Sequence, residues 1–212
     1  MRFVGSTSPV RNLLQNCVAA ADLARRAGRG QSVVIDSCGF VSGRLAEEFQ
    51  YSMIDLLRPD LIVILGGSAA IERICVNFSQ NRRIEIDRIP PAEACSRKSS
   101  EHRHSYRNRR LQAYFAAARG GTIHTGGLGL HGHLPELTNS RSISGRLFAF
   151  LDSDQLVITL GIAQRTADSA QQARTAEQGV EIEFIAPPFK QSRVRSLQFG
   201  TMRLAPDGAE LQ

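Results

Sequence analysis

The sequence predicts an α/β fold: a parallel sheet flanked by helices, followed by a small antiparallel β module. Three observations predict it. Apolar, β-branched runs recur at SVVID (32–36), DLIVILG (60–66) and RIEIDRI (83–89), separated by stretches of helical length. Continuous apolar strands alternating with helices indicate a parallel sheet covered on both faces. From about residue 145 the pattern changes to strand after strand with no helix between, which indicates an antiparallel module or barrel.

Each element follows from local chemistry. RFVGSTSP opens as a short strand running into a loop. Residues 10–28 read as a helix with Leu14, Cys17, Val18 and Ala21 as its apolar stripe and Gly28 as its stop. SVVID is the next strand and CGFVSG a loop. Arg44 to Leu57 is amphipathic, with Leu45, Phe49, Met53 and Leu56 on one face, and Pro59 ends it. DLIVILG turns through Gly66-Gly67 into a helix near 69–77, and RIEIDRI is a further strand. EHRHSYRNRRLQAYF, residues 101–115, reads as a helix. RGGTIHTGGLGLHGHLPELTNS shows no periodicity and reads as a Gly-rich linker. RLFAFLD, LVITLGIAQ, VEIEFIAP and VRSLQFGTMRL are strands, and TADSAQQARTAEQG is a surface connection. The expected domains are 1–118 and 145–212, joined by 119–144.

Composition narrows the function classes. The chain has 212 residues, 42% hydrophobic and 22% charged, ordinary for a globular protein. No long uncharged apolar run and no lysine-led signal is visible, so a soluble chain without a membrane role is expected. Cys17, Cys38, Cys75 and Cys95 have no metal-ligand or disulfide spacing, which fits a reducing cytoplasm, or a nucleus in a eukaryote. The formal net charge is +6, and only Lys98 and Lys190 are lysines. Between Arg97 and Arg110 stand six Lys/Arg and one Glu. So dense a positive patch reads either as a solvated basic face or as a site for an anion such as phosphate.

The helical spacing sharpens that choice. Arg103, Arg107, Arg110 and Tyr114 fall at i, i+4, i+7 and i+11, one face of a helix. Like charges so placed cost a few tenths of a kcal/mol per pair unless an anion meets them. Other motifs are weaker. Neither lysine ends a GxxxxGK[ST] phosphate loop. Gly127-x-Gly129-x-x-Gly132 matches a dinucleotide fingerprint but opens no predicted helix, and reads as loop. His124, His131 and His133 have no carboxylate or cysteine at ligand spacing, so they read as surface histidines and no metal site is expected. Asp60 reads as a strand-start residue and Asp36 as a strand-end one. Gly5, Ser6, Thr7 and Ser8 read as a helix cap or as a cradle of hydroxyls and amides for a phosphate. Phe40, after Ser37-Cys38-Gly39, reads as a stacking ring or a core residue.

Taken in order, FVGSTSP, VVIDSCGFVSG, LIVILG and RHSYRNRRLQAYF resemble the polynucleotide 5′-hydroxyl kinase family, which includes kinases of pre-mRNA cleavage factor and rRNA-processing type. The later FAFLD, LVITLGIA and VRSLQFGTMRL resemble its C-terminal β module. The resemblance implies a partial P-loop-kinase-like sheet in a phosphotransferase that moves the γ-phosphate of ATP to the 5′-OH of RNA or DNA. It implies ATP and Mg2+ as cofactors, nucleic-acid 5′ ends as substrate and RNA-processing proteins as partners. The family's clasp, Thr-x-Gly-Trp, corresponds to Ser37-Cys38-Gly39-Phe40, with Phe40 in the tryptophan's place. Its lid, Arg-x-x-x-Arg, corresponds to Arg103 and Arg107, supported by Arg110 and Tyr114. Such arginines would close over nucleotide phosphates and offset transition-state charge. The family's P-loop precedes the segment matching RFVGSTSP. The expectation is therefore a C-terminal portion of the enzyme that is inactive alone. The alternative is a non-catalytic nucleic-acid-binding or scaffold module.

Overall fold

A computed structural model describes residues 1–6, 8, 10–28, 32–96, 98–166 and 179–211. Thr7, Pro9, Arg97 and nearly all of the expected connection at 166–179 lie outside the described residues. The chain is α/β, with a small parallel sheet, helices and a separate, mainly antiparallel sheet. It forms two compact units: Ser8–Arg97, and Met1–Thr7 together with Lys98–Gln212.

The first unit, Ser8–Arg97, holds helices α1 (Leu13–Ala27), α2 (Arg44–Leu57) and α3 (Ala69–Val76) and strands β1 (Leu61–Leu65) and β2 (Glu85–Ile89). β1 and β2 pair in parallel from Leu61↔Glu85 to Leu65↔Ile89, with α3 as the crossover. Helix α2 begins and ends where its periodicity predicts, and Arg58, in the left-handed conformation (φ 47°), terminates it ahead of Pro59. Ser68 caps α3 by accepting from the Ile71 amide at 3.3 Å. The core is Ala46, Phe49, Ile64, Ala70, Ile74, Cys75 and Phe78, with Tyr51 stacked on Phe78 at 5.3 Å between centroids.

Two sequence expectations fail in this unit. SVVID forms no strand, and Val34 is 96% exposed. A strand needs a neighbour to take its amides and carbonyls, and 32–36 has no ladder partner among the described residues. In α1 the expected stripe faces outward, with Leu14 and Val18 exposed. The buried side chains of this helix are Ala19 and Asp22, the latter holding Arg25 and Arg26 at 2.8 and 2.9 Å. The opening RFV segment, in the other unit, is likewise not a strand.

The second unit is built on a six-stranded sheet in the order β3-β7-β6-β5-β8-β4. Its strands are β3 (Arg119–His124), β4 (Gly129–Gly132), β5 (Arg146–Leu151), β6 (Val157–Thr166), β7 (Glu181–Ala186) and β8 (Ser196–Arg203). All pairs are antiparallel except β4 with β8. Helix α4 (Ser100–Phe115) and the short α5 (Ser140–Ile143) complete it. Phe148, Phe150 and Phe199 are fully buried and, with Phe184, form an aromatic core. Each such ring stabilises the unit by about 1.5–3 kcal/mol.

The stretch 119–144, expected as a linker, supplies both edge strands and α5. Gly121 and Gly132 serve packing: a Cβ on Gly121 would meet the Phe184 ring at 2.9 Å, and one on Gly132 would run into the Phe199 carbonyl. The opening segment joins this unit through β8. Gly5 (φ 72°) lies against Gly200, where a Cβ would meet the Gly200 Cα at 2.7 Å, and its carbonyl accepts from the Thr201 amide at 2.7 Å.

Candidate functional site

Helix α4 carries the arginine stripe. Only Leu111 and Phe115 give it apolar anchorage, so its start and its fixed position have other causes. Ser99 caps it, accepting from the His102 amide at 3.0 Å, and Glu101 sits favourably in the first turn. Phe115 is 3% exposed and packs with Leu147, Ile162 and Leu204. The Tyr114 hydroxyl accepts from the Leu160 amide and pairs with Thr159 Oγ1, both at 3.0 Å. Tyr114 thus ties the helix to β6.

The chain's last turn packs against the same helix. Leu204 and Glu210 form a β-bridge around a tight turn in which Gly208 (φ 86°) lies against the Leu111 carbonyl. The Glu210 amide donates to Asn108 Oδ1 at 2.8 Å, and Gln112 donates to Asp207 at 3.3 Å. This presents the Glu210 carboxylate to the stripe. Arg107 donates to Glu210 Oε2 from Nε at 3.1 Å and from Nη2 at 3.0 Å, and His104 Nδ1 lies 3.3 Å from the same oxygen. Arg107 and His104 therefore converge on one anionic oxygen, half-buried at the margin between the stripe and the packed face of α4. Arg103, Arg109 and Arg110 are exposed and make no ion pair among the described residues.

The other expected site residues lie elsewhere. Gly5 and Ser6 are in the unit that contains α4, and Thr7 lies outside the described residues. Ser8, Ser37, Gly39 and Phe40 belong to the Ser8–Arg97 unit. There, Ser37, Cys38 and Gly39 are exposed and Phe40 is half-buried. The loop is held by Gln50 of α2, a buried side chain whose Nε2 donates to the carbonyls of Cys38 and Phe40, each at 3.0 Å. A Cβ on Gly39 would meet nothing within 4 Å, and its φ is not positive, so neither packing nor conformation requires glycine there. Glu210, Asn108 and Gln50 carry no motif. The only sequence signal for Gln50 is a polar residue beside Phe49 on an amphipathic helix.

The histidines of 124–133 divide. His124 and His133 are exposed, but His131 is half-buried in β4, and its Nε2 has no hydrogen-bond partner. Burial pushes its pKa down, opposed by a hydrogen bond with the Gln155 side chain. Burial likewise raises the thiols of Cys17 and Cys75.

The described residues do not by themselves compose an ATP–Mg2+ site. The glycine turn between β1 and α3, Gly66-Gly67-Ser68, carries no lysine, and its serine caps α3. No group of three or more His, Cys, Asp or Glu converges among the described residues. Nor is any helix among them long and apolar enough to cross a membrane. What α4 offers chemically is a set of guanidinium forks suited to phosphate oxygens.

The profile of the family described as mRNA cleavage and polyadenylation factor CLP1 P-loop matches residues 1–117, from the opening segment through all of α4. No curated protein matches the chain.

Proposed function

The chain belongs to the mRNA cleavage and polyadenylation factor CLP1 P-loop family, a kinase-like family tied to RNA processing, and from that premise we propose that it is the phosphate-recognising part of an ATP-dependent polynucleotide 5′-hydroxyl kinase. The observation that carries this reading is the arginine face of α4. Arg103, Arg107 and Arg110 share one side of a helix fixed by Tyr114 and Phe115, and Arg107 already converges with His104 on an anionic oxygen. In this reading Arg103 and Arg107 are the lid that grips phosphate, Arg110 extends it, and Tyr114 holds its base. Ser37, Gly39 and Phe40 form the clasp on the nucleic acid. The absence of any packing demand at Gly39 leaves room for a close-lying strand. The hydroxyls of Ser6 and Ser8 and the Gly5 backbone are further groups for substrate, with Gly5 also locked to β8.

P-loop kinases of this type use ATP and Mg2+. The 212 residues contain no GxxxxGK[ST], and alone they transfer no phosphoryl group. Labelled γ-phosphate appearing on a 5′-hydroxyl RNA incubated with ATP and the purified chain would contradict that. Binding tests the lid directly. Single-stranded RNA should bind with a salt slope to which the three arginines contribute about −2 in log–log form. The triple Arg103→Ala, Arg107→Ala, Arg110→Ala variant should lose that contribution. An unchanged slope would end the lid assignment.

A second reading, a non-catalytic RNA-binding or scaffold module, is favoured by one observation: Arg107 is already satisfied within the chain by Glu210. ATP discriminates between the two. Under the kinase reading its polyphosphate competes with RNA for the lid. Under the module reading RNA affinity is the same with and without ATP.

A further inference from the structure

We infer that Glu210 is an internal anion that occupies the phosphate position of α4, and that a terminal phosphate of a nucleic-acid 5′ end displaces it. The inference rests on the lid reading above and deepens it by giving the site an occupant and a ligand class. Two side chains, Arg107 and His104, meet at a single Glu210 oxygen, Oε2, at 3.0–3.3 Å, while among the described residues no contact within these distances engages Oε1. A carboxylate with one oxygen satisfied and one idle is an incomplete match. A phosphate monoester presents three oxygens and up to two charges, and can meet Arg107's fork in bidentate fashion while leaving an oxygen for His104.

The geometry also makes displacement feasible. Glu210 lies on a turn anchored by buried Leu204 and by the Asn108 and Gln112 contacts with α4, so its carboxylate can leave Arg107 while the backbone stays in place. Arg107 is 35% exposed and Glu210 17%, so their pair is reachable and partly screened by solvent. Exposed Arg103 and Arg110, one turn to either side, would add attraction for an incoming phosphate that Glu210 cannot exploit. While Glu210 occupies Arg107, the apparent affinity for phosphate is reduced by the fraction of chains with the site free.

The test is fluorescence anisotropy of a 3′-labelled single-stranded RNA carrying a 5′-monophosphate, with its 5′-hydroxyl twin as the comparison. The neutral, isosteric Glu210→Gln should bind the phosphorylated RNA about fivefold tighter than the parent chain, with a smaller gain for the twin. The Glu210→Gln, Arg107→Ala double variant should lose that gain. A gain that persists without Arg107 reports only a lost negative charge and overturns the inference, as does Glu210→Gln binding no tighter than the parent. If Arg107→Ala weakens binding while Glu210→Gln does not strengthen it, the lid stands and the internal anion falls. If Arg107→Ala has no effect on the parent chain, the lid reading itself fails. Should Glu210→Gln not fold, Asn108→Ala loosens the same turn with both charges intact. It should give a gain of about twofold, and no gain overturns the inference.

Discussion

Tyr114 shows how one hydroxyl decides where a charged helix lies. Its oxygen serves both the Leu160 amide and Thr159 Oγ1 on β6, so Tyr114→Phe leaves a backbone donor without its acceptor. The expected loss is about 1–2 kcal/mol, read as a lower midpoint in thermal or urea unfolding. An unchanged midpoint would show that Phe115 and Leu111 suffice to anchor α4. His131 offers a second residue-scale outcome. Burial holds its pKa below the unfolded value of about 6.5, so the unfolded chain binds the proton more readily than the folded one. That contribution to stability is full above about pH 6.5 and is lost as pH falls through the folded value. His131→Gln should flatten that part of the stability–pH curve. An unaltered slope would mean that other groups set it.

At the scale of elements, Gln50 couples helix α2 to the Ser37–Phe40 loop. Gln50→Leu keeps the volume and removes both donations, leaving the Cys38 and Phe40 carbonyls to water. The loop should become more susceptible to limited proteolysis near 37–41, with α2 intact by circular dichroism. Equal cleavage rates in parent and variant would remove Gln50 from the positioning role. The elements also show what the sequence could disclose. Helix α2, strands β1 and β2 and helix α4 were legible because caps, Pro59 and local periodicity define them within a dozen residues. SVVID was misread because strand formation depends on a distant neighbour that composition does not reveal. The strands at 119–132 were missed because Gly121 and Gly132, required by the nearby Phe184 ring and Phe199 backbone, look like loop residues in a linear reading. The arginine stripe was legible from spacing alone. Its carboxylate partner lies 103 residues away in sequence, beyond the reach of any helical periodicity.

Across the whole molecule, apolar surface is unevenly distributed. In the Ser8–Arg97 unit, Leu61, Val63 and Leu65 share one exposed face of β1, Leu65 being 73% exposed, and Val34 stands nearly free in solvent. Isolated exposed apolar residues are ordinary, but a row along a two-stranded parallel sheet favours association. The 212-residue chain should show concentration-dependent self-association in sedimentation velocity, reduced by Val63→Ser with Leu65→Ser. A single monomeric boundary at the highest soluble concentration would count against it.

The Gly5–Gly200 contact has a consequence for how the chain is made. The Thr201 hydroxyl and amide both bond the Gly5 carbonyl across 196 positions, and the Val157 amide bonds the Met1 carbonyl. Residues 1–5 are thus completed by a strand made about 196 positions later. At about 5–20 residues per second, the amino-terminal segment waits roughly 10–40 s for its strand. The Ser8–Arg97 unit has all of its own residues long before then. Synthesis therefore favours a sequence of events in which the Ser8–Arg97 unit settles before the unit built from the two flanking segments.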